Sequence, residues 1–313
     1  MFNWQVLSGV FLGWSLGSND SANVFGTAVA TRMVRYSTAV CLCAVFIVLG
    51  AWLEGEAGFH RLSSLVNQNA NEVFICTLAS GLTVTFMTFL GLPVSTSQAV
   101  VGGIFGVALA SGHAVDLASF GKLIICWVGT PIGGFLTAMI LYWLARKTLK
   151  FCKFNFFQLD WLLRWGLILS GIYGSYALGA NNVANVTGIY VGAGLLTVEQ
   201  ASLIGGLSIA VGVMTFSKNV MMTVGKGLIP INGVGAFIAV LSHAIVVHMY
   251  AQIGVPVSTS QAIVGAVMGV GIVLRRKIHY GRLVRVLQAW MMTPMVSAGL
   301  TIILLKVFFT YTI

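Results

Sequence analysis

The chain has 313 residues, of which 58% are hydrophobic and only 8% are charged, and its mean hydropathy is +0.95. A soluble domain has about 25% charged residues, so this composition excludes a water-soluble globular protein. The net charge of +10 does not indicate nucleic-acid binding, because the basic residues flank apolar runs, as the positive-inside rule expects of membrane proteins.

The first half of the chain alternates apolar runs with two polar strings. The string GSNDSAN occupies residues 17–23, and apolar runs follow at residues 38–53 and 73–91. Each run is close to the roughly 20 residues that a helix needs to cross a bilayer. The second string, PVSTSQA, occupies residues 93–99. The N-terminus has no charged segment with a cleavage site, so we expect no removed signal peptide.

The second half repeats this order after a basic join. The string GANNVAN at residues 179–185 matches GSNDSAN at an offset of 162, and PVSTSQA returns at residues 256–262 at an offset of 163. Two motif pairs at nearly one offset indicate a duplicated unit. We therefore predict a first membrane repeat at residues 1–150, a cytoplasmic basic connector at 151–165 and a second membrane repeat at 166–313.

Basic loops alternate between the two halves. Arg32 and Arg35 follow GSNDSAN, whereas the equivalent positions hold Gly194 and Thr197. Conversely, five basic residues follow the second PVSTSQA helix within residues 275–285, against one lysine after the first. The positive-inside rule then places the halves in opposite orientations. We predict an all-α polytopic membrane protein in the cell (inner) membrane, with five crossings per half, both termini outside and the connector cytoplasmic.

The PVSTSQA strings predict helix starts inside the bilayer. Ser95 and Gln98 have the spacing of a capping box, and Pro93 favours a break just before it. A helix start has unpaired N–H groups and a partial positive charge, which together bind anions. Two such starts in inverted halves could hold a tetrahedral oxyanion from both sides. The preceding apolar run and this helix form either two crossings or a re-entrant hairpin; the sequence leaves both open.

The GSNDSAN and GANNVAN strings predict the complementary part of the site. Glycine and asparagine allow a helix to unwind, and non-helical backbone is tolerated in a membrane where it lines a cavity. Asp20 is one of only seven acidic residues, and an intramembrane aspartate is functional by default. The Asp20 carboxylate and the Asn carbonyls are oxygen ligands that suit a cation such as Na⁺. Inverted repeats of this kind are typical of secondary transporters, with the site between the repeats.

At these four strings the sequence resembles the inorganic phosphate transporter (PiT) family, the sodium- or proton-coupled phosphate permeases, over essentially the whole chain. The resemblance implies a symporter that moves phosphate by alternating access and has no cofactor other than its coupling ion. It implies substrate contacts from Ser95, Thr96, Ser97, Gln98, Ser258, Thr259, Ser260, Gln261, Asn19 and Asn181. It implies coupling residues Asp20, Asn23, Asn182 and Asn185, with Na⁺ at Asp20, Asn23 and Asn185 as one option.

The sequence departs from the family pattern where carboxylates are expected. Asn182 replaces an aspartate in the second asparagine string, and the family's glutamate position is assigned to Met222 in the second half and to His60 in the first. Glu54 and Glu56 lie nearby but out of register with that position. One clear carboxylate, Asp20, remains in the predicted site. Proton coupling, or a single cation, is therefore favoured over two sodium ions.

Three alternatives remain open from sequence. Some relatives of the family resemble sulfate permeases, so sulfate is the second candidate substrate. An uncoupled anion channel could use the same helix starts, although it has less need of Asp20. An intramembrane enzyme is disfavoured, because the histidines are scattered along the chain (His60, His113, His243, His248 and His279). The expected partners are phosphate or sulfate and the lipid bilayer, with no nucleic acid; a homodimer is one option for the oligomeric state.

Overall fold

The computed structural model describes residues 3–65, 67–90, 94–152, 154–225 and 231–309. All regular secondary structure within these ranges is α-helical, which confirms the all-α prediction. The helices are α1 (Val6–Ala30), α2 (Tyr36–Glu54), α3 (Glu56–Ser63), α4 (Ala70–Phe89), α5 (Thr96–Ser111), α6 (Leu117–Cys152), α7 (Phe156–Gly192), α8 (Val198–Gly225), α9 (Gly233–Gln252), α10 (Thr259–Val273) and α11 (Tyr280–Phe309). By length and composition, six described segments could cross a membrane: Tyr36–Glu54, Ala70–Phe89, Leu117–Cys152, Val198–Lys218, Gly233–Gln252 and Tyr280–Phe308.

The two central helices α1 and α7 run antiparallel, as inverted repeats require. The start of α1 packs against the end of α7, where Gly9 lies against Tyr190. Near its other end, α1 packs against an earlier part of α7, where Phe25 lies against Gly171. The structure therefore confirms two inverted repeats of about five helices each, with the short α3 added in the first. Helix α7 already begins at Phe156, and the exact boundaries of the repeats remain a prediction.

The expectation that the asparagine strings unwind their helices is wrong. Helix α1 is continuous through residues 17–23, and helix α7 is continuous through residues 179–185. Gly17 packs against the backbone of Ile209 in α8, and Gly179 packs against the backbone of Ile47 in α2. These glycines permit close helix packing rather than unwinding. The asparagine side chains, not exposed backbone carbonyls, are therefore what these strings present to the site.

The pairs α4–α5 and α9–α10 are re-entrant hairpins whose turns meet. Along α1, the Ser8 hydroxyl contacts Thr77 of α4, and further on Asn19 donates to Thr88 at the end of α4. Helix α4 therefore accompanies only the first half of α1. In the same way, α9 accompanies α7 until Asn181 bonds the turn after α9. The expected five full crossings per half are therefore too many: each half has three crossings and one hairpin.

An odd number of crossings places the two ends of a half on opposite sides of the membrane, and three is odd, as five is. The predicted orientation of the termini and the connector is therefore unaffected, and it remains a prediction. The break that Pro93 predicts lies outside the described residues. Its equivalent, Pro256, lies in the non-helical turn between α9 and α10. Because the turns lie between the two halves, the starts of α5 and α10 are placed inside the bundle rather than at its surface.

Each re-entrant helix is supported by a helix of the other half. In α5, Gly102 lies against the backbone of Pro294 in α11. In α10, Gly265 lies against the backbone of Pro131 in α6. These two contacts are related by the same offset of 163 that relates the PVSTSQA strings. The halves are thus interlocked, and the close approach at these glycines fixes where the two hairpin turns meet.

We predict that Gly265→Ala destabilises the protein by about 1–3 kcal/mol, because the added methyl would collide with the Pro131 carbonyl oxygen, which cannot rotate away. The matched control is Gly299→Ala in α11, where an added Cβ has no neighbour within 4 Å. Alanine favours a helix over glycine by up to about 1 kcal/mol, so the control should be neutral or stabilising. Thermal unfolding in detergent measures both; equal melting temperatures for the two variants would contradict the packing described.

Candidate functional site

The starts of α5 and α10 are capped in the same way. The Ser95 hydroxyl accepts from the Gln98 N–H at 3.3 Å, and the Ser258 hydroxyl accepts from the Gln261 N–H at 3.2 Å. The other half of the predicted capping box is not formed, because the side-chain carbonyl oxygen of Gln98 has no hydrogen-bond partner. Each serine satisfies one of the N–H groups that a helix start leaves unpaired. The glutamine side chains remain available for another contact.

Two reciprocal hydrogen bonds hold the hairpin turns together. The Ser97 hydroxyl donates to the Val257 carbonyl at 2.9 Å, and the Ser260 hydroxyl donates to the Val94 carbonyl at 2.8 Å. Each bond runs from the first turn of one re-entrant helix to the residue just before the other one. The starts of α5 and α10 therefore face a common region, as the sequence analysis requires of a shared anion site. Each contributes about half a positive charge there.

The asparagine string of α1 lies against the start of α10. The Asn23 amide donates to the Thr259 hydroxyl at 3.3 Å, and the Asp20 carboxylate lies beside the same hydroxyl. Asn23 also lies 3.5 Å from the Asp20 carboxylate. Asn19 instead donates to Thr88 of α4 at 2.8 Å, which fixes the first hairpin against α1. Thr88 has no signature in the sequence, because it is one of several hydroxyl residues spread along an apolar run.

The asparagine string of α7 makes the equivalent contacts with the other helix start. The Asn185 amide donates to the Ser97 hydroxyl at 3.0 Å and to the Asn182 side-chain carbonyl at 2.9 Å. Asn181 donates to the Val255 carbonyl at 3.2 Å and accepts from the Val257 N–H at 3.1 Å. Asn181 therefore fixes the second hairpin turn, as Asn19 fixes the first. The two strings have matching roles in the two halves.

The site is closed, yet several of its polar atoms have no partner within the protein. None of the predicted site residues is more than 6% exposed. Buried atoms without a hydrogen bond include the Thr96 hydroxyl, the side-chain carbonyls of Gln98, Gln261 and Asn185, and the Asn182 amide nitrogen. A buried polar atom without a partner costs about 1–3 kcal/mol. This clustering of unpaired atoms around two helix starts is the arrangement expected of a site for a small polar ion.

The oxygen ligands available for a cation are divided between the halves. Asp20 and Asn23 lie at the start of α10, whereas Asn185 lies at the start of α5. Among the described residues, no group of three or more His, Cys, Asp or Glu could hold a metal ion. The side chains assigned to the family's glutamate position lie elsewhere: Met222 and His60 are both exposed. Any cation at this site would depend on one carboxylate and neutral oxygens.

The fold defines an integral membrane protein with inverted repeats and a buried cluster of polar side chains between them. Two segments of the chain, residues 16–158 and 155–301, match the model of the phosphate transporter family. The chain therefore belongs to the phosphate transporter family, which confirms the resemblance noted in the sequence. The two matched segments correspond to the two repeats.

Individual relatives cover almost the whole chain. A protein of Methanocaldococcus jannaschii that is provisionally named a phosphate permease is 26% identical, over 94% of each chain. The sulfate permease CysP of Bacillus subtilis is also 26% identical, over 97% of this chain and 87% of its own. A solved structure titled "The sodium-dependent phosphate transporter" has a TM-score of 0.85 and 22% identity, and the match covers 99% of this chain and 98% of that one. That structural likeness confirms the fold.

We predict that removing two neighbouring hydroxyls has different effects on stability. Ser97→Ala removes a bond to Val257 and one from Asn185, so it should destabilise the ligand-free protein by about 1–3 kcal/mol. Thr96→Val removes a hydroxyl that has no internal partner, so the stability should change by less than about 0.5 kcal/mol. Thermal unfolding without added anions compares the two; a larger loss for Thr96→Val would show that its hydroxyl is bonded within the protein.

Proposed function

We propose that this protein is a secondary active symporter that moves inorganic phosphate across the membrane by alternating access, coupled to H⁺ or Na⁺. The observation that supports this most directly is the pair of helix starts that face one another with unpaired polar atoms between them. The helix starts supply partial positive charge and N–H donors, and Thr96, Thr259, Gln98 and Gln261 supply neutral polar groups. Ser95, Ser97, Ser258 and Ser260 position these groups through the caps and reciprocal bonds, and Asn19 and Asn181 fix the turns.

The position of Asp20 favours phosphate over sulfate. Phosphate at neutral pH keeps a proton that it can donate to a carboxylate, whereas sulfate has no proton and would be repelled. Asp20 lies beside Thr259, one of the proposed substrate residues, and Asn23 contacts both, so the Asp20 carboxylate is close to the proposed anion site. Asn182 occupies the equivalent position in the other half and cannot discriminate in this way. Sulfate is the second candidate, favoured by the similarity to the sulfate permease CysP.

For coupling, we propose that the cation or proton is bound at Asp20. Asn23 and Asn185 supply neutral oxygens, and Asn182 orients Asn185. A single carboxylate suits one proton or one Na⁺ better than two sodium ions, because each added cation needs compensating negative charge in a low-dielectric site. The hairpin turns lie near the middle of the bundle, where transporters with inverted repeats bind substrate and coupling ions.

The remaining features of the proposal concern the membrane. The protein is integral to a membrane; we propose the cell membrane, with both termini outside and the basic join between α6 and α7 in the cytoplasm. This orientation follows the basic residues after α1, α6 and α10. No enzymatic step and no resident cofactor are part of the proposal. A homodimer remains one option for the assembly.

Uptake into proteoliposomes tests the function. We expect reconstituted protein to accumulate labelled phosphate when an inward H⁺ or Na⁺ gradient is imposed, and excess unlabelled phosphate to compete better than sulfate. Imposing the two gradients separately identifies the coupling ion. Better competition by sulfate would make sulfate the substrate. Anion flux that follows only the anion's own gradient, whatever the H⁺ and Na⁺ gradients, would indicate a channel.

The role of Asp20 is tested by Asp20→Asn. This variant should lose gradient-driven accumulation, because it removes the one carboxylate at the helix starts, and its preference for phosphate over sulfate should fall. Asp160→Asn is the matched control: Asp160 is half-exposed and pairs with Arg164 one helical turn away, and such a pair contributes at most about 1 kcal/mol. Uptake by the control should equal that of the wild type. Intact concentrative uptake by Asp20→Asn would refute the assignment.

A further inference from the structure

A second polar cluster lies beside the turn of the second hairpin, and the function proposed above does not use it. The His248 Nε2 atom lies 2.7 Å from the Glu54 carboxylate, and its Nδ1 atom lies 2.8 Å from the Tyr173 hydroxyl. The Gln252 amide donates to Glu54, and the Tyr176 hydroxyl lies beside the same carboxylate. These five residues, here called the Glu54 cluster, come from α2, α7 and α9. They are the titratable and polar groups that face Glu54 from the helices packed around it.

The Glu54 cluster lies partly exposed on the side of the bundle, midway along it rather than at its ends. Gly50 packs against the backbone of Tyr176, and Gly55, next to Glu54, packs against Val183. Both contacts fall in the central part of α7, beside its asparagine string. Ala57 packs against Gly254 in the turn that leads to the start of α10. An ionisable residue at this depth is costly and is by default a candidate functional site.

The equivalent place in the other half has no titratable cluster. By the offsets that relate the repeats, Tyr173 and Tyr176 correspond to Phe11 and Trp14, Glu54 corresponds to Phe216, and Gln252 corresponds to Phe89. These aromatic residues pack on one another: Trp14 lies 5.9 Å and Phe89 lies 5.3 Å from the Phe216 ring. Thr85 occupies the position of His248. An apolar packing therefore suffices for the fold at this place, so the polar version in the second half needs another explanation.

We propose that the Glu54 cluster is a proton-binding site that couples proton entry to anion binding at the start of α10. With a neutral imidazole, Nε2–H of His248 donates to the Glu54 carboxylate and Nδ1 accepts from the Tyr173 hydroxyl. One added proton binds at Nδ1, which then donates to the Tyr173 oxygen while the hydroxyl hydrogen turns away. Both contacts are kept, and the net charge of the cluster changes from −1 to zero.

This change of charge supplies the coupling. A net negative charge beside the hairpin turn repels an anion at the start of α10, and protonation removes that repulsion. By reciprocity, a bound anion strengthens proton binding by the same factor. The side chains of Glu54 and His248 are 33% and 23% exposed, which leaves a route for the proton. The inference rests on the proposed function and adds a second site, for a proton, to the coupling site proposed at Asp20.

The test uses the full-length protein in proteoliposomes and three variants: Glu54→Gln, His248→Gln and the control Glu56→Gln. Glu56 is exposed, two residues from Glu54, and outside the cluster. Labelled phosphate uptake is measured at one external pH while the internal pH is varied, so that the ionisation of external phosphate stays constant. For each cotransported proton, a gradient of one pH unit supports about tenfold accumulation. Exchange of labelled for unlabelled phosphate without a gradient shows whether each variant is folded and binds substrate.

We expect the wild type and Glu56→Gln to accumulate phosphate in proportion to the pH gradient. For each pH unit of gradient, Glu54→Gln and His248→Gln should accumulate at least about tenfold less phosphate than the wild type. Both variants should still exchange labelled for unlabelled phosphate. If Glu54→Gln does not fold, His248→Gln and Tyr173→Phe make the same test. His248→Gln removes the imidazole that binds the proton, and Tyr173→Phe removes the hydroxyl that contacts Nδ1.

Accumulation by these variants that follows the pH gradient as in the wild type would overturn the inference. So would wild-type transport that responds only to Na⁺, although the proposed function would then stand. Absence of any phosphate or sulfate movement by the wild type would overturn both.

Discussion

The structure depends on burying two helix starts against each other inside an apolar bundle. A helix start brings unpaired N–H groups and partial positive charge, which are costly away from water unless they are satisfied. The protein satisfies part of this demand internally, through the Ser95 and Ser258 caps and the reciprocal bonds from Ser97 and Ser260. Beyond these bonds, the Thr96 hydroxyl and the side-chain carbonyls of Gln98 and Gln261 have no partner within the protein. In the proposed function, the helix starts that shape the hairpins also supply the positive charge for the anion.

Interlocking of the halves makes this arrangement possible. Helix α5 packs on α11 and helix α10 packs on α6, so each re-entrant helix is held by the opposite repeat. The asparagine strings also contact the opposite repeat, because Asn23 reaches the start of α10 and Asn185 reaches the start of α5. Movement of one repeat against the other would therefore alter both ends of the site together. That is the property that alternating access requires of a site between two inverted repeats.

Much of this architecture follows from the sequence, because each polar string occurs twice at a nearly constant offset and the basic loops alternate. The number of crossings and the state of the asparagine helices did not follow. Gly17 and Gly179 allow either unwinding or close packing, and only their neighbours Ile209 and Ile47 decide between the two. In the same way, an apolar run of crossing length, such as α4, does not show whether the following turn emerges from the membrane. Both outcomes depend on contacts between residues far apart in sequence.

The Glu54 cluster departs from the symmetry that relates the two repeats. Glu54 and His248 lie 194 positions apart, and neither belongs to a repeated string, so no sequence pattern links them. The repeats conserve the backbone at this place, while the side chains differ: an aromatic packing in one half and an acid–imidazole pair in the other. Anion binding needs both helix starts, but a coupling proton needs only one carboxylate–imidazole pair. A duplicated framework can therefore keep its symmetry at the helix starts and lose it at the groups proposed for coupling, as Asp20 and Asn182 also illustrate.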